Sequence, residues 1–183
     1  MIELKGRGIV RVTPRFVLAH PAHFIALGFG AGVLPAAGTF GTLLGFPIYW
    51  ALEAQFSAQF SAPFSTPSSP LWLFGVIAAL FALGVWACEV TGRHLGVSDH
   101  NGMCWDEVVA FLLVLMFTPQ GWAWQAFAFF AFRFFDVVKP PPIRQLDRSM
   151  KGGLGVMFDD VLAAGYTLLL MAVIRQGLTF YAA

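Results

Sequence analysis

The sequence predicts an all-α fold: a polytopic integral membrane helical bundle of about five membrane helices plus an N-terminal interfacial or re-entrant helix. Three observations point there. Hydrophobic residues make up 58% of the 183 and charged residues only 11%, where ordinary soluble domains carry about 25% charged. The mean hydropathy is +0.72, and 20 Phe are present, so the chain cannot supply a polar shell for a soluble core. Its charges gather at one end of the apolar runs. The length suits one domain, residues 1–183.

Each element follows from local pattern. Residues 1–15 form a basic arm without an apolar h-region or a small-residue cleavage site, so they read as a cytoplasmic arm and not as a secretory signal. "FVLAHPAHFIALGFGAG" (16–32) is mildly apolar and broken by Pro21, which suits an interfacial or re-entrant helix. Its His20 and His23 read as interfacial residues, not metal ligands. The run 34–56 begins as a Gly-rich turn and continues as a span that Pro47 would kink. "SAQFSAPFSTPSSP" (57–70) is a flexible outer loop, rich in Ser and Pro.

"LWLFGVIAALFALGVWACEV" (71–90) is the clearest span, about 20 residues for a hydrocarbon core of about 30 Å. "WDEVVAFLLVLMF" and "WAWQAFAFFAFRFFD" are both short, and the "TPQG" between them makes them an antiparallel pair. Trp122 and Trp124 would anchor the outer interface. A polar loop follows at 137–155, with "KPPP" expected to hold it extended. A last helix is expected over about 156–174.

Threading these spans puts Arg93, Arg133, Lys139, Arg144, Arg148 and Lys151 on the side of the basic arm. Arg175 alone among the 11 Lys and Arg residues falls opposite. Positive residues in short loops favour the cytoplasm, so that side is expected to be cytoplasmic. Asp99, Asp106, Glu107, Asp136, Asp147, Asp159 and Asp160 fall at the same face, which no orientation rule requires. Glu53 falls near the other.

Acids collected at one membrane face, among basic residues, suggest a site. Magnesium commonly takes one or two carboxylates together with substrate phosphate oxygens. The stations "WDE", "FFD", "LDR" and "FDD" come from separate segments and can converge. Arg133, Lys139, Arg144 and Arg148 would clamp a phosphate; the plainer reading is ion pairing at helix ends. In "LPAAGTFGT", Gly38, Thr39, Gly41 and Thr42 precede a helix whose free N–H groups would welcome an anion, with Thr39 as N-cap. A glycine turn that admits close helix packing fits the same residues. His100 is either a general acid or base or a solvated loop residue. Cys88 and Cys104 read as reduced core residues.

The C-x₅-R of cysteine phosphatases is absent, as are the D-x-D-x-T of haloacid dehalogenases and the D-G-x₂-A-R of CDP-alcohol phosphotransferases. A metal–carboxylate mechanism is therefore favoured. The rival reading is a small ion or anion transporter with a carboxylate-lined path. Such acids belong near the bilayer midplane, and no inverted repeat is visible.

"GFGAGVLPAAGTFGT", "SDHNGMCWDEVVAF" and "FRFFDVVKPPPIRQLDRSMKGGLGVMFDDVLAAG" occur in that order and resemble the bacterial phosphatidylglycerophosphatase A family from about Phe24 to Leu170. Two departures are Ala37, where the family usually has Pro, and Cys104 before W-D-E, where it usually has a β-branched aliphatic. The resemblance implies a multi-pass inner-membrane, Mg²⁺-dependent enzyme that removes the terminal phosphate of phosphatidylglycerophosphate to give phosphatidylglycerol, on the route to cardiolipin. The expected partners are that lipid and the bilayer, not nucleic acid; the sequence sets no oligomeric state. Carried over by motif, the acids are Asp106, Glu107, Asp136, Asp147, Asp159 and Asp160, the cations Lys139 and Arg144, and the turn Gly38, Thr39 and Gly41. The expected metal ligands are Asp106, Glu107, Asp136 and Asp160, with Arg148 and Thr42 added on the substrate side and His100 or a free carboxylate moving protons. Water and an aspartate both remain open as the nucleophile.

Overall fold

The computed structural model describes residues 12–59 and 71–182, and the side chains within them except at 56–59, 147–148 and 181–182. Residues 1–11 of the expected arm and 60–70 of the expected outer loop lie outside these. Among the described residues every regular element is helical: α1 Pro14–Leu18, α2 Pro21–Ala26, a 3-10 stretch Gly28–Val33, α3 Ala37–Gln59, α4 Leu71–Leu95, α5 Trp105–Phe117, α6 Trp122–Val138, α7 Ile143–Ser149 and α8 Gly153–Ala182.

The N-terminal segment breaks where proline dictates. Thr13 Oγ1 accepts from Phe16 N to cap α1, and His20 Nδ1 accepts from Ala22 N to cap α2, each helix carrying Pro at its start. α2 packs on α4 and buries Ala22, His23 and Ala26.

α5 is the centre of the bundle. It packs against α3, α4, α6 and α8, and nearly its whole length is buried, from Trp105 to Leu115. A helix apolar all round belongs inside. At 13 residues it is about 20 Å long, short of a bilayer's hydrocarbon thickness.

Two helices, Leu71–Leu95 and Gly153–Phe180, are long and apolar enough to cross a membrane. Five were expected. α5 and α6, with 13 and 17 residues, fall below the usual spanning length. α3 is long enough, but Gly, Thr, Pro47 and Glu53 dilute its apolar run.

The loop 137–155 differs from expectation. It contains α7, which the Pro-rich run and the lack of an apolar repeat conceal. "KPPP" is a turn and not an extended strut: Lys139 is left-handed (φ 46) and Ile143 N bonds Pro140 O at 2.8 Å. α8 also begins earlier than expected, at Gly153, because Glu89 on α4 caps it: Glu89 Oε2 accepts from Gly153 N at 2.8 Å. Gly152 lies at φ +81, and a Cβ on Gly153 would collide with Val85 O. The α4–α8 contact at this point requires glycine.

Candidate active site

Four helix ends meet at one end of the bundle. The first turn of α5 supplies Asp106 and Glu107, where the helix dipole favours acids. The second turn of α8 supplies Asp159 and Asp160, the last turns of α6 supply Arg133 and Asp136, and the start of α3 supplies Gly38. With Lys139 and the loop around His100 they line a cleft of about 660 Å³.

Asp106, Glu107 and Asp160 form its floor. One carboxylate oxygen from each lies within 4.8 Å of the others. Asp106 and Asp160 are buried, and Asp106 Oδ1, Glu107 Oε2 and Asp160 Oδ2 have no hydrogen-bond partner. Two like charges at such a distance repel by about 3–4 kcal/mol at an effective dielectric of 20. Two buried acids and a half-buried third, each with a bare oxygen, need compensating positive charge to be ionised together. Hard oxygen donors on three sides suit a divalent cation such as Mg²⁺.

The cations stand around that floor. Arg133 Nη1 bonds Asp136 Oδ2 at 2.6 Å, lies 3.6 Å from Glu107 Oε1 and donates to Thr42 Oγ1 at 3.5 Å. Thr42 in turn donates to Gly38 O at 2.9 Å. Lys139 pairs with Asp159. Gly38 leaves room for this arrangement, since a Cβ there would strike Glu107 Oε1.

His100 lines the cleft, and its Nδ1 accepts from Gly102 N at 3.0 Å. A neutral ring held that way carries its proton on Nε2, so it would act as a donor. Cys104 sits beside the acids but is no nucleophile. Burial, and after it the Asp106 carboxylate, pushes its thiol up to about 12, and both it and Cys88 are free and buried.

The expected residues divide. Asp106, Glu107, Asp136, Asp159, Asp160, His100, Lys139 and Gly38 all line the cleft. Asp136 pairs with Arg133 and is not one of the three clustered acids. Arg144 is exposed, donates to Val138 O at 3.1 Å and does not line the cleft. The side chains of Asp147 and Arg148 lie outside the described residues. Thr39 is not the N-cap: α3 starts at Ala37, and Ala36 at φ 58 turns its carbonyl to accept from Thr39 N at 2.9 Å. Gly41 is buried against the backbone of Cys104, where a Cβ would come within 2.6 Å of its carbonyl oxygen. That part of the turn serves helix packing. Arg133 is more central than its sequence suggested, although its place three residues before Asp136 is the helical spacing for an ion pair. Asp99 and Asn101 also line the cleft.

The family model described as Phosphatidylglycerophosphatase A matches residues 24–175. The chain belongs to this family. It is a phosphatase of the phosphatidylglycerophosphatase A type. Two relatives carry that name: a Haemophilus influenzae protein is 38% identical over 161 residues, 86% of this chain and 91% of the relative. An Escherichia coli protein is 36% identical over 152 residues, 81% of this chain and 80% of the relative. A Bacteroides thetaiotaomicron relative, provisionally named a phosphatidylinositol-3-phosphatase, is 39% identical over 156 residues, 82% of this chain and 91% of its own length. No solved structure matches. Every acid, arginine and lysine of the cleft falls inside the region that matches the phosphatidylglycerophosphatase A family.

Proposed function

We propose that the protein hydrolyses the terminal phosphate of phosphatidylglycerophosphate, yielding phosphatidylglycerol and inorganic phosphate, with Mg²⁺ as cofactor. The observation that carries the cofactor is the cluster of three acids with unpartnered buried oxygens, Asp106, Glu107 and Asp160. These residues would hold Mg²⁺, which when bound offsets phosphate charge and lowers the pKa of a coordinated water.

The chain's own residues do the rest. Arg133, oriented by Asp136 and Thr42, binds non-bridging phosphate oxygens and stabilises the charge that develops on them. Lys139 adds a second positive charge at the rim. A cleft carboxylate accepts the proton of the attacking water as the phosphorus–oxygen bond to glycerol breaks, and His100 Nε2–H donates to the departing glycerol oxygen. Asp159 holds Lys139 over the acids.

The membrane reading rests on the two long apolar helices and on the one-sided charge pattern, which favours a bacterial inner membrane with the N-terminus and the cleft facing the cytoplasm. α3, α5 and α6 would complete five membrane-embedded helices, the short ones seating the cleft where a lipid headgroup meets water. The transporter reading loses its ground with the family assignment, and the acids gather at one end of the bundle.

Phosphate release by the detergent-purified protein tests this reading, with phosphatidylglycerophosphate, phosphatidate and phosphatidylinositol 3-phosphate compared in Mg²⁺ and in EDTA. Metal-dependent release with phosphatidylglycerophosphate as the preferred lipid is expected. Preference for the inositol lipid would reassign the headgroup, and release that persists in EDTA would remove the metal.

A further inference from the structure

Of the helices that line the cleft, α3 and α6 make few contacts with each other, while α6 packs on α8 and α8 on α4. Between α3 and α6 lies an apolar groove of about 440 Å³. On α3 its wall is Leu43, Phe46 and Trp50, one helical stripe at i, i+3 and i+7. On α6 it is the stripe through Trp122, Ala126 and Phe129. Phe46, Phe129 and the buried Phe111 of α5 meet as its floor, with ring centroids 5.1–6.1 Å apart.

Both stripes end close to Arg133, which lines the cleft. Four residues beyond Phe129 on α6 is Arg133, which binds Asp136 and reaches Thr42 on α3. Thr42 directly precedes Leu43. From Arg133 to Trp122 is 11 residues, about 16 Å of helix, close to half of a hydrocarbon core about 30 Å thick. Arg133 and the groove together therefore span about one leaflet, the groove beginning about one helical turn from the arginine.

We propose that this α3–α6 groove is the binding site for one acyl chain of the lipid substrate, and that lipid enters the cleft sideways between these two helices. The proposal rests on the phosphatase reading above and adds the site that receives the hydrocarbon. A lipid whose phosphate lies against Arg133 must lead its chains away from the acids along an apolar surface. The α3–α6 groove is such a surface: Leu43 of its wall adjoins Thr42, and Phe129 stands about one helical turn from Arg133. Leu43, Trp50 and Phe130 are exposed there, and rigid aromatic walls favour a chain over mobile bulk lipid.

Two measurements decide it. In the first, Ala126→Trp fills the groove, and Leu169→Trp places the same bulk on an exposed position of α8. The ratio of kcat/KM for dioleoyl over dihexanoyl phosphatidylglycerophosphate should fall about tenfold in Ala126→Trp, through KM, and hold in Leu169→Trp. An equal ratio in both variants overturns the proposal while leaving the phosphatase reading intact.

The second needs no turnover and covers a variant that fails to fold. A benzophenone side chain is placed at Phe130 or at Leu169, in phosphatidylcholine vesicles containing radiolabelled dioleoyl phosphatidylglycerophosphate and EDTA. Label captured at Phe130 should be competed by excess unlabelled phosphatidylglycerophosphate and not by more phosphatidylcholine, with no such competition at Leu169. Uncompeted capture at Phe130 contradicts the groove, even if phosphate release fails on every lipid.

Discussion

Two polar clusters lie within this apolar bundle, and they differ in one respect. His20, His23 and His94 join the N-terminal segment to α4. There His23 Nδ1 meets Phe16 O at 2.9 Å and His23 Nε2 meets His94 Nδ1 at 2.7 Å, with the His23 ring stacked on Phe16 at 4.0 Å. A carbonyl only accepts, so His23 carries its proton on Nδ1, and a neutral pair then has His94 donating to Nε2. His20 Nδ1 is used by Ala22 N. Asp106, Glu107 and Asp160 instead hold three oxygens with no partner. A satisfied network around one buried polar residue, here His23, specifies a fold; a buried unsatisfied one costs stability and is kept for what it binds.

The sharpest way to break this contrast is at the acids. Asp160→Asn should lower phosphate release beyond the 10–100-fold usual for residues outside a metal's ligand set, while the thermal midpoint measured in EDTA is unchanged or higher because a repelling charge is gone. A fall in both would move Asp160 into the structural class. Next is Arg133→Ala, expected to cost kcat on the order of 10²–10³-fold, with Arg133→Lys recovering little because a point charge cannot reach Asp136 and a phosphate together.

At the histidines the signs reverse. His94→Leu strands His23 Nε2 in a buried site and should lower stability by about 1–3 kcal/mol, read from thermal unfolding, with kcat held. The smallest effect is pH. Burial lowers the His23 pKa from its ordinary 6.5 more than the hydrogen bond to Phe16 raises it, and His94 and His20 lower it further. The unfolded segment then binds more protons below about pH 6.5, so its docking is fully stable above that value and weakens as pH falls. Hydrogen exchange over residues 14–33 at pH 7.5 and 5.5 reads this directly, with faster exchange expected at the lower pH.

The same contrast explains what was legible. In a chain only 11% charged, acids at the ends of apolar runs stand out, and the three that cluster were all recognisable. So was the break at Pro21. What escaped depends on distant residues: His94 pairs with a histidine 71 positions away, and Glu89 caps α8 across 64. Neither leaves a spacing signal. Arg144, expected as a phosphate clamp from its charge and motif, donates to Val138 O from the start of α7 and does not line the cleft, a placement that depends on the turn at Lys139. The G-T-x-G turn was half read, with Gly38 at the cleft and Gly41 spent on packing against Cys104.

The central claim is that Asp106, Glu107 and Asp160 are a cation site, and Mn²⁺ titration followed by electron paramagnetic resonance tests it most directly. The unmodified protein should bind Mn²⁺ and release it to Mg²⁺, with affinity at least tenfold weaker in Asp106→Asn and Asp160→Asn at unchanged helicity. Equal binding in all three proteins, or none by the folded unmodified chain, would contradict it.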